Sequence, residues 1–291
     1  MNIFKILANG DGSINEANIS AFLGYLLNPN EDHGLGYEVL SRFLLANFDD
    51  EIYEIESIEQ FEFDILFEQA FRSKEDTKKD IVDIVILCYK SAPRRGENIV
   101  RNILVNRGQL NKIILIENKI NSSSRNEKQL SRQYLKTKST LEELIPDFLS
   151  FSSIKTIYIT PSSRVKNSKK NFELEFIEFQ QQHDPDSENS NHIKWKSAND
   201  GLSLISILKS IISEETSGEI EAINEYTKHT LISFIRYIDN DFKSSFQIKR
   251  EGKFQKDLFY DLETYLIKYN DNLNIAANNL LLKFSAYLTS T

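Results

Sequence analysis

Asp80-Ile81-Val82-Asp83-Ile84-Val85-Ile86-Leu87-Cys88-Tyr89 and, further along, Lys112-Ile113-Ile114-Leu115-Ile116-Glu117-Asn118-Lys119-Ile120 are the two stretches that decide the fold. Both are short runs dominated by β-branched and aliphatic residues, the composition of strands buried on both faces of a sheet. Each run is interrupted by charge: Asp83 in the first, Glu117 and Lys119 in the second. Strand residues two apart share a face, so Glu117 and Lys119 project from one side, and Asp83 joins them if the strands are neighbours. Stripping such groups of water is costly without partners, and a metal ion or a phosphate would repay keeping them together. A structural ion pair at a strand end is the alternative. Two apolar strands interrupted at matching places favour a site.

Outward from this pair, Asn15 to Asn28 reads as a helix, with Ile19, Phe22, Leu23, Leu26 and Leu27 at helical spacing and Pro29 as its stop. A second helix carries Tyr37, Leu40, Phe43, Leu44 and Phe48. From Ile58 to Phe67 the pattern alternates, the sign of a strand with one wet face. Between the two apolar strands, the segment with Pro93, Arg94, Arg95 and Gly96 reads as an extended basic loop or hairpin tip. Asn126 to Lys138 reads as a helix, with a second helical piece up to Pro146, and Lys155 to Thr160 as a strand ended by Pro161. Strand, helix, strand in that order implies a parallel crossover. Further on, Glu173 to Phe179 and His192 to Lys196 read as strands flanking a polar loop, and Leu202 to Ile212, Ile220 to Tyr237 and Phe254 to Tyr269 as helices. The expected organisation is an α/β core over residues 1–215 and a helical C-terminal region over 216–291.

Composition sets the outer limits. The chain has 291 residues, 40% hydrophobic and 27% charged, with one cysteine. It is long enough for a sizeable core, too rich in aromatics to be disordered, and has no disulfide framework or cysteine zinc cluster. No apolar run approaches the roughly 20 residues of a membrane span, and no secretory leader is legible at Met1, so a cytoplasmic protein is expected. The net charge of −8 conceals a strong asymmetry: residues 1–68 carry −12, 69–170 carry +11 and 171–291 carry −7. A polyanion would lie against the basic middle third, which also holds Asp83, Glu117 and Lys119.

These residues resemble the PD-(D/E)XK nuclease superfamily: Asp83-Ile84-Val85-Ile86, then Ile114 to Ile120 with its Glu117-Asn118-Lys119, then Gln129-Leu130 and Tyr134. The expected order of helix, three strands, helix, strand is also the core of that superfamily, a central mixed sheet flanked by helices. The opening, with Asn15-Glu16, Ser20, Leu23, Leu26-Leu27-Asn28-Pro29 and His33-Gly34-Leu35-Gly36, resembles a bacterial branch. Val82 stands where the family usually has a proline before the first acid.

The resemblance implies a phosphodiester hydrolase, with Asp83 and Glu117 as ligands of Mg²⁺ or Mn²⁺ and Lys119 assisting the attacking water. Hard oxygen donors suit those ions better than zinc. Glu16 resembles the first-helix acid that completes the metal shell in some members, although helix capping would also explain it. Gln129 resembles a helix residue that touches the site or substrate. Asp80, a rival for the metal, is expected on the opposite face from Asp83 because the two are an odd number of residues apart. Arg125, Lys128, Arg132 and Lys136 crowd one helix and offer a rail for phosphates. His33 follows Asp32 in a glycine-rich turn and fits a hydrogen-bonding role. Trp195 reads as core, Tyr134 as packing. No histidine pair has zinc-ligand spacing and no P-loop is present, so any ATP-driven or sensing step would need a partner protein. The resulting expectation is a DNA endonuclease of a bacterial defence or mobile-element system, acting as a homodimer. The alternatives are an RNA-directed toxin nuclease and a catalytically silent module that binds nucleic acid or a partner.

Overall fold

A computed structural model of the chain describes Phe4 and residues 14–71, 80–94, 96, 98–120, 128–145, 147–148, 152–161, 172–197 and 201–243. Two compact units divide the chain, one of Met1–Phe4 with Ile14–Phe242, the other of Lys5–Ser13 with Lys243–Thr291. All described elements belong to the first. The helix expected over Phe254 to Tyr269 lies outside the described residues, as do Arg125 and the basic segment from Arg164 to Lys170.

Five strands form one mixed sheet in chain order: β1 (Glu62–Phe71), β2 (Asp80–Tyr89), β3 (Leu110–Asn118), β4 (Ser153–Thr160) and β5 (Ser190–Lys194). The pairs β1–β2 and β2–β3 are antiparallel, while β3–β4 and β4–β5 are parallel. The α/β core with a parallel crossover is therefore present. Ile84, Val85, Ile86, Leu87, Ile113, Ile114 and Ile116 are completely buried, which is why both strands read as continuous apolar runs.

Helix α1 (Glu16–Leu27) precedes the sheet. The Asn15 side chain accepts the Asn18 N–H at 2.9 Å and the Asn18 side chain accepts the Asn15 N–H at 3.1 Å, a reciprocal cap that satisfies two helix-end donors. Gly24 lets α1 approach β1, because a Cβ there would lie 2.1 Å from the Phe67 ring. Helix α2 (Glu38–Asn47) buries Val39, Leu40, Phe43 and Leu44, and a 3-10 turn (Glu51–Tyr53) and the one-turn α3 (Ile55–Ile58) lead into β1.

The segment between β2 and β3 is not simply a polar loop. It contains α4 (Ile99–Val105), capped by the Asn98 side chain on the Arg101 N–H and anchored by buried Ile99 and Ile103. Helix α5 (Gln129–Leu144) runs without the expected break. The stretch around Glu173 to Phe179, expected as a strand, is helix α6 (Phe172–His183). Its sequence, Phe-Glu-Leu-Glu-Phe-Ile-Glu-Phe, alternates apolar and acidic residues but also places Phe172, Phe176 and Phe179 at helical spacing. The helical set is the one that is buried, while Leu174 and Ile177 face solvent. Burying three phenylalanines against Tyr158 and Leu130, at about 1.5–3 kcal/mol each, outweighs the weak local alternation.

Helices α7 (Leu204–Ser217) and α8 (Glu225–Asp239) complete the unit, which runs on to Phe242. Helix α8 is amphipathic, and its buried Leu231, Phe234 and Ile238 require the cover of this core. Among the described residues, no helix is long and apolar enough to cross a membrane.

Candidate active site

The β2–β3 ladder ends at Ile84 paired with Ile116, one residue short of both Asp83 and Glu117. On its other side β2 is irregular as well. The β1 register passes from Phe67–Ile84 to Gln69–Val82, skipping Glu68 opposite Asp83, and Glu68 has a left-handed φ of 48°. Val82 and Val85 consequently pack into the same core cluster although they are an odd number apart. Asp80 lies toward α5, its carboxylate bonded to Lys136 Nζ at 3.0 Å and Arg132 Nε at 3.4 Å.

Where the ladder stops, side chains take over. Asp83 Oδ2 accepts the Asn118 N–H at 2.7 Å. Lys119 Nζ lies 2.6 Å from Glu117 Oε1 and 3.3 Å from Glu16 Oε1, and Glu16 Oε2 accepts the Ile120 N–H at 3.1 Å. Gln129 Nε2 donates to Glu117 Oε1 at 2.6 Å, and Gln133 Nε2 donates to Glu117 Oε2 at 2.7 Å. Asp83, Glu117, Lys119, Glu16 and Gln129 are thus brought together, with Glu117 and Lys119 only 2% and 5% exposed.

Gln133 was absent from the sequence reading. Its signal is the four-residue spacing from Gln129, which puts both amides on one helix face. Asn118, between Glu117 and Lys119, and Trp195, expected as core, support the site from behind. Asn118 donates to Ser20 Oγ at 3.0 Å, and the Trp195 indole N–H reaches Asn118 Oδ1 at 3.0 Å and the Lys119 carbonyl at 3.1 Å.

Burial pushes the Glu117 carboxyl well above the ordinary range, and the charge of Asp83 pushes the same way, against the opposing pull of Lys119 and Gln133. Burial likewise raises Asp83, assisted by Glu16 and Glu68 and opposed by the Asn118 N–H and Lys119. For Lys119, burial disfavours the ammonium, but Glu117, Glu16 and Asp83 outweigh it and keep the group charged. One lysine among several carboxylates leaves an excess of negative charge in a dry place, which a divalent cation would relieve.

The donor set fits such an ion: the buried Glu117 and partly buried Asp83 carboxylates are hard oxygen donors and would leave the rest of its shell to water or phosphate oxygens. Gln129 Oε1 is also buried with no hydrogen-bond partner. Among the described residues, no three His, Cys, Asp or Glu side chains group to hold a metal; Glu16 directs its oxygens to Lys119 and the Ile120 N–H.

The expected phosphate rail is only partly a free surface. Lys128 is exposed at the start of α5, and Arg132 keeps 46% of its side chain in solvent while bonded to Asp80. Lys136, at 11%, is committed to Asp80.

The histidines stand apart from this chemistry. His33 Nδ1 accepts the Leu35 N–H and its Nε2 donates to the Asn28 carbonyl, both at 2.9 Å, so it braces the turn as a neutral ring. His192 lies 2.7 Å from Thr160 Oγ1, and burial, with Lys194 nearby, pushes it down to about 4. A histidine whose folded pKa lies below the unfolded value of about 6.5 adds stability that is complete above that pH and lost as pH falls through the folded value. His192→Gln is therefore expected to flatten the decline in melting temperature between about pH 6.5 and 4. An unchanged decline would assign it to other groups.

The fold is α/β, a five-stranded mixed sheet flanked by helices, with a largely buried acid–acid–lysine cluster where two strands part. A family model of the PD-(D/E)XK nuclease superfamily matches residues 1–236, and the chain belongs to that superfamily. Its members act on nucleic acids by phosphodiester hydrolysis and typically employ a divalent metal. Searches of curated proteins and of solved structures find no match.

Proposed function

We propose that the chain is a divalent-metal-dependent DNA endonuclease of a bacterial defence or mobile-element system. The carrying observation is the convergence of Asp83, Glu117 and Lys119 where the β2–β3 ladder ends. Asp83 and Glu117 would hold Mg²⁺ or Mn²⁺, which when bound supplies Lewis-acid polarisation of the phosphate and lowers the pKa of water. Lys119 keeps its proton at neutral pH and presents a fixed positive charge to the scissile phosphate and the attacking oxygen. Glu16 gives the lysine a second carboxylate partner, so that its direction does not depend on Glu117 alone. Gln129 orients Glu117, and Lys128 and Arg132 meet the flanking phosphates. The bacterial setting rests on the resemblance of the N-terminal segment.

The test is the purified full chain on plasmid DNA and on structured RNA, with Mg²⁺ or Mn²⁺ and with chelator. Cleavage of DNA that chelator abolishes is expected. RNA cut in preference to DNA would move the substrate to RNA, and no cleavage of either would remove the enzyme reading.

A further inference from the structure

We propose that Gln133 is a positioning residue that braces the two acid-bearing strands at the point where their backbone pairing has ended. Its amide nitrogen has two hydrogens and spends both across the gap: one on Glu117 Oε2 of β3 at 2.7 Å, the other on the Ile81 carbonyl of β2 at 2.6 Å. Ile81 lies two residues before Asp83, and the last backbone pair is Ile84 with Ile116. Beyond that pair, the bonds among the described residues that tie the strands directly or through one side chain are Asp83 to the Asn118 N–H and this glutamine bridge. Gln133 is 3% exposed, so its two bonds face little competition from water.

Gln129 provides an internal comparison. It donates to the same carboxylate at 2.6 Å, and no bond joins it to β2. If the bridge matters rather than the added donor, the two glutamines have unequal roles. Gln133 sets the spacing of Asp83 and Glu117, and Gln129 only orients one oxygen.

This inference rests on the metal-dependent reading of the site. Its test is Mn²⁺ binding by titration calorimetry to the full-length chain, with Gln133→Met and Gln129→Met beside wild type. Methionine keeps the bulk and removes the donors. Gln133→Met is expected to weaken Mn²⁺ binding by about 10–100-fold, the usual loss when a hydrogen-bond partner of a metal ligand is removed. The Mg²⁺ concentration for half-maximal cleavage should rise by a similar factor, with much of the rate recovered at saturating metal, a pattern that general destabilisation would not produce. Gln129→Met should show a clearly smaller loss. Should Gln133→Met not fold, Gln133→Asn keeps an amide too short to span the gap and is expected to behave in the same way. Wild-type Mn²⁺ affinity in whichever Gln133 variant folds, or an equal loss in Gln129→Met, overturns the brace while leaving the nuclease reading intact. Wild type that binds no Mn²⁺ overturns both.

Discussion

Lys119→Ala is expected to reduce metal-dependent DNA cleavage by about 10²- to 10⁴-fold, the range for losing a positioned catalytic group or a charge directed at the transition state. The ammonium is nearly buried, is kept charged by Glu117, Glu16 and Asp83, and lies 2.6 Å from the acid proposed to hold the metal. Alanine removes the charge and the reach together, and no other described lysine or arginine is bonded to Glu117. Binding of Mn²⁺ should survive in the variant, since the carboxylates remain and lose a competing cation. Cleavage rates under saturating Mg²⁺ read this directly. A Lys119→Ala protein that cuts at the wild-type rate would take the lysine out of the chemistry.

Trp195→Ala carries the largest expected cost in stability. The indole is 1% exposed and packs edge-on against Phe234 and Phe242, with centroids 6.0 and 5.3 Å away. Truncating such a side chain costs about 3–5 kcal/mol in lost burial and cavity. Its N–H also serves Asn118 Oδ1 and the Lys119 carbonyl, and leaving the fully buried Asn118 acceptor without this donor adds about 1–3 kcal/mol. Against a usual total of about 5–15 kcal/mol, the loss is enough to unfold much of the protein at physiological temperature. Trp195→Phe keeps most of the packing and loses only the donor. It should cost the smaller amount and lower cleavage by loosening the Glu117-Asn118-Lys119 segment. Urea denaturation with parallel activity measurements separates the two. A Trp195→Ala protein as stable as wild type would refute this packing account.

The strands that carry the chemistry were legible because burial on both faces leaves a continuous apolar run, against which Asp83, Glu117 and Lys119 stand out. Their convergence followed from strand periodicity and the resemblance. The irregularity where the β1–β2 register skips Glu68 and Asp83 was not legible, because no single-sequence pattern marks it. Helix α6 was missed because its phenylalanines and glutamates satisfy a period of two as well as the helical one, and only tertiary burial decides between them. The pairing of Asp80 with Arg132 and Lys136 on α5 was not legible, because nothing in the sequence says that they lie across from one another. Gln133 was missed for a different reason: its signal, the four-residue spacing from Gln129, acquires meaning only once Glu117 is known as the partner of both amides.

The most direct test of the account is plasmid cleavage in Mg²⁺ by wild type and Asp83→Asn, with melting temperatures measured on the same preparations. Asparagine can still accept the Asn118 N–H but removes one negative charge from a site that has too many. The account expects wild-type cleavage that chelator abolishes, a variant that does not cut, and a melting temperature no lower than wild type. Asp83→Asn protein that cuts at the wild-type rate would contradict the claim that Asp83 and Glu117 together hold the catalytic metal.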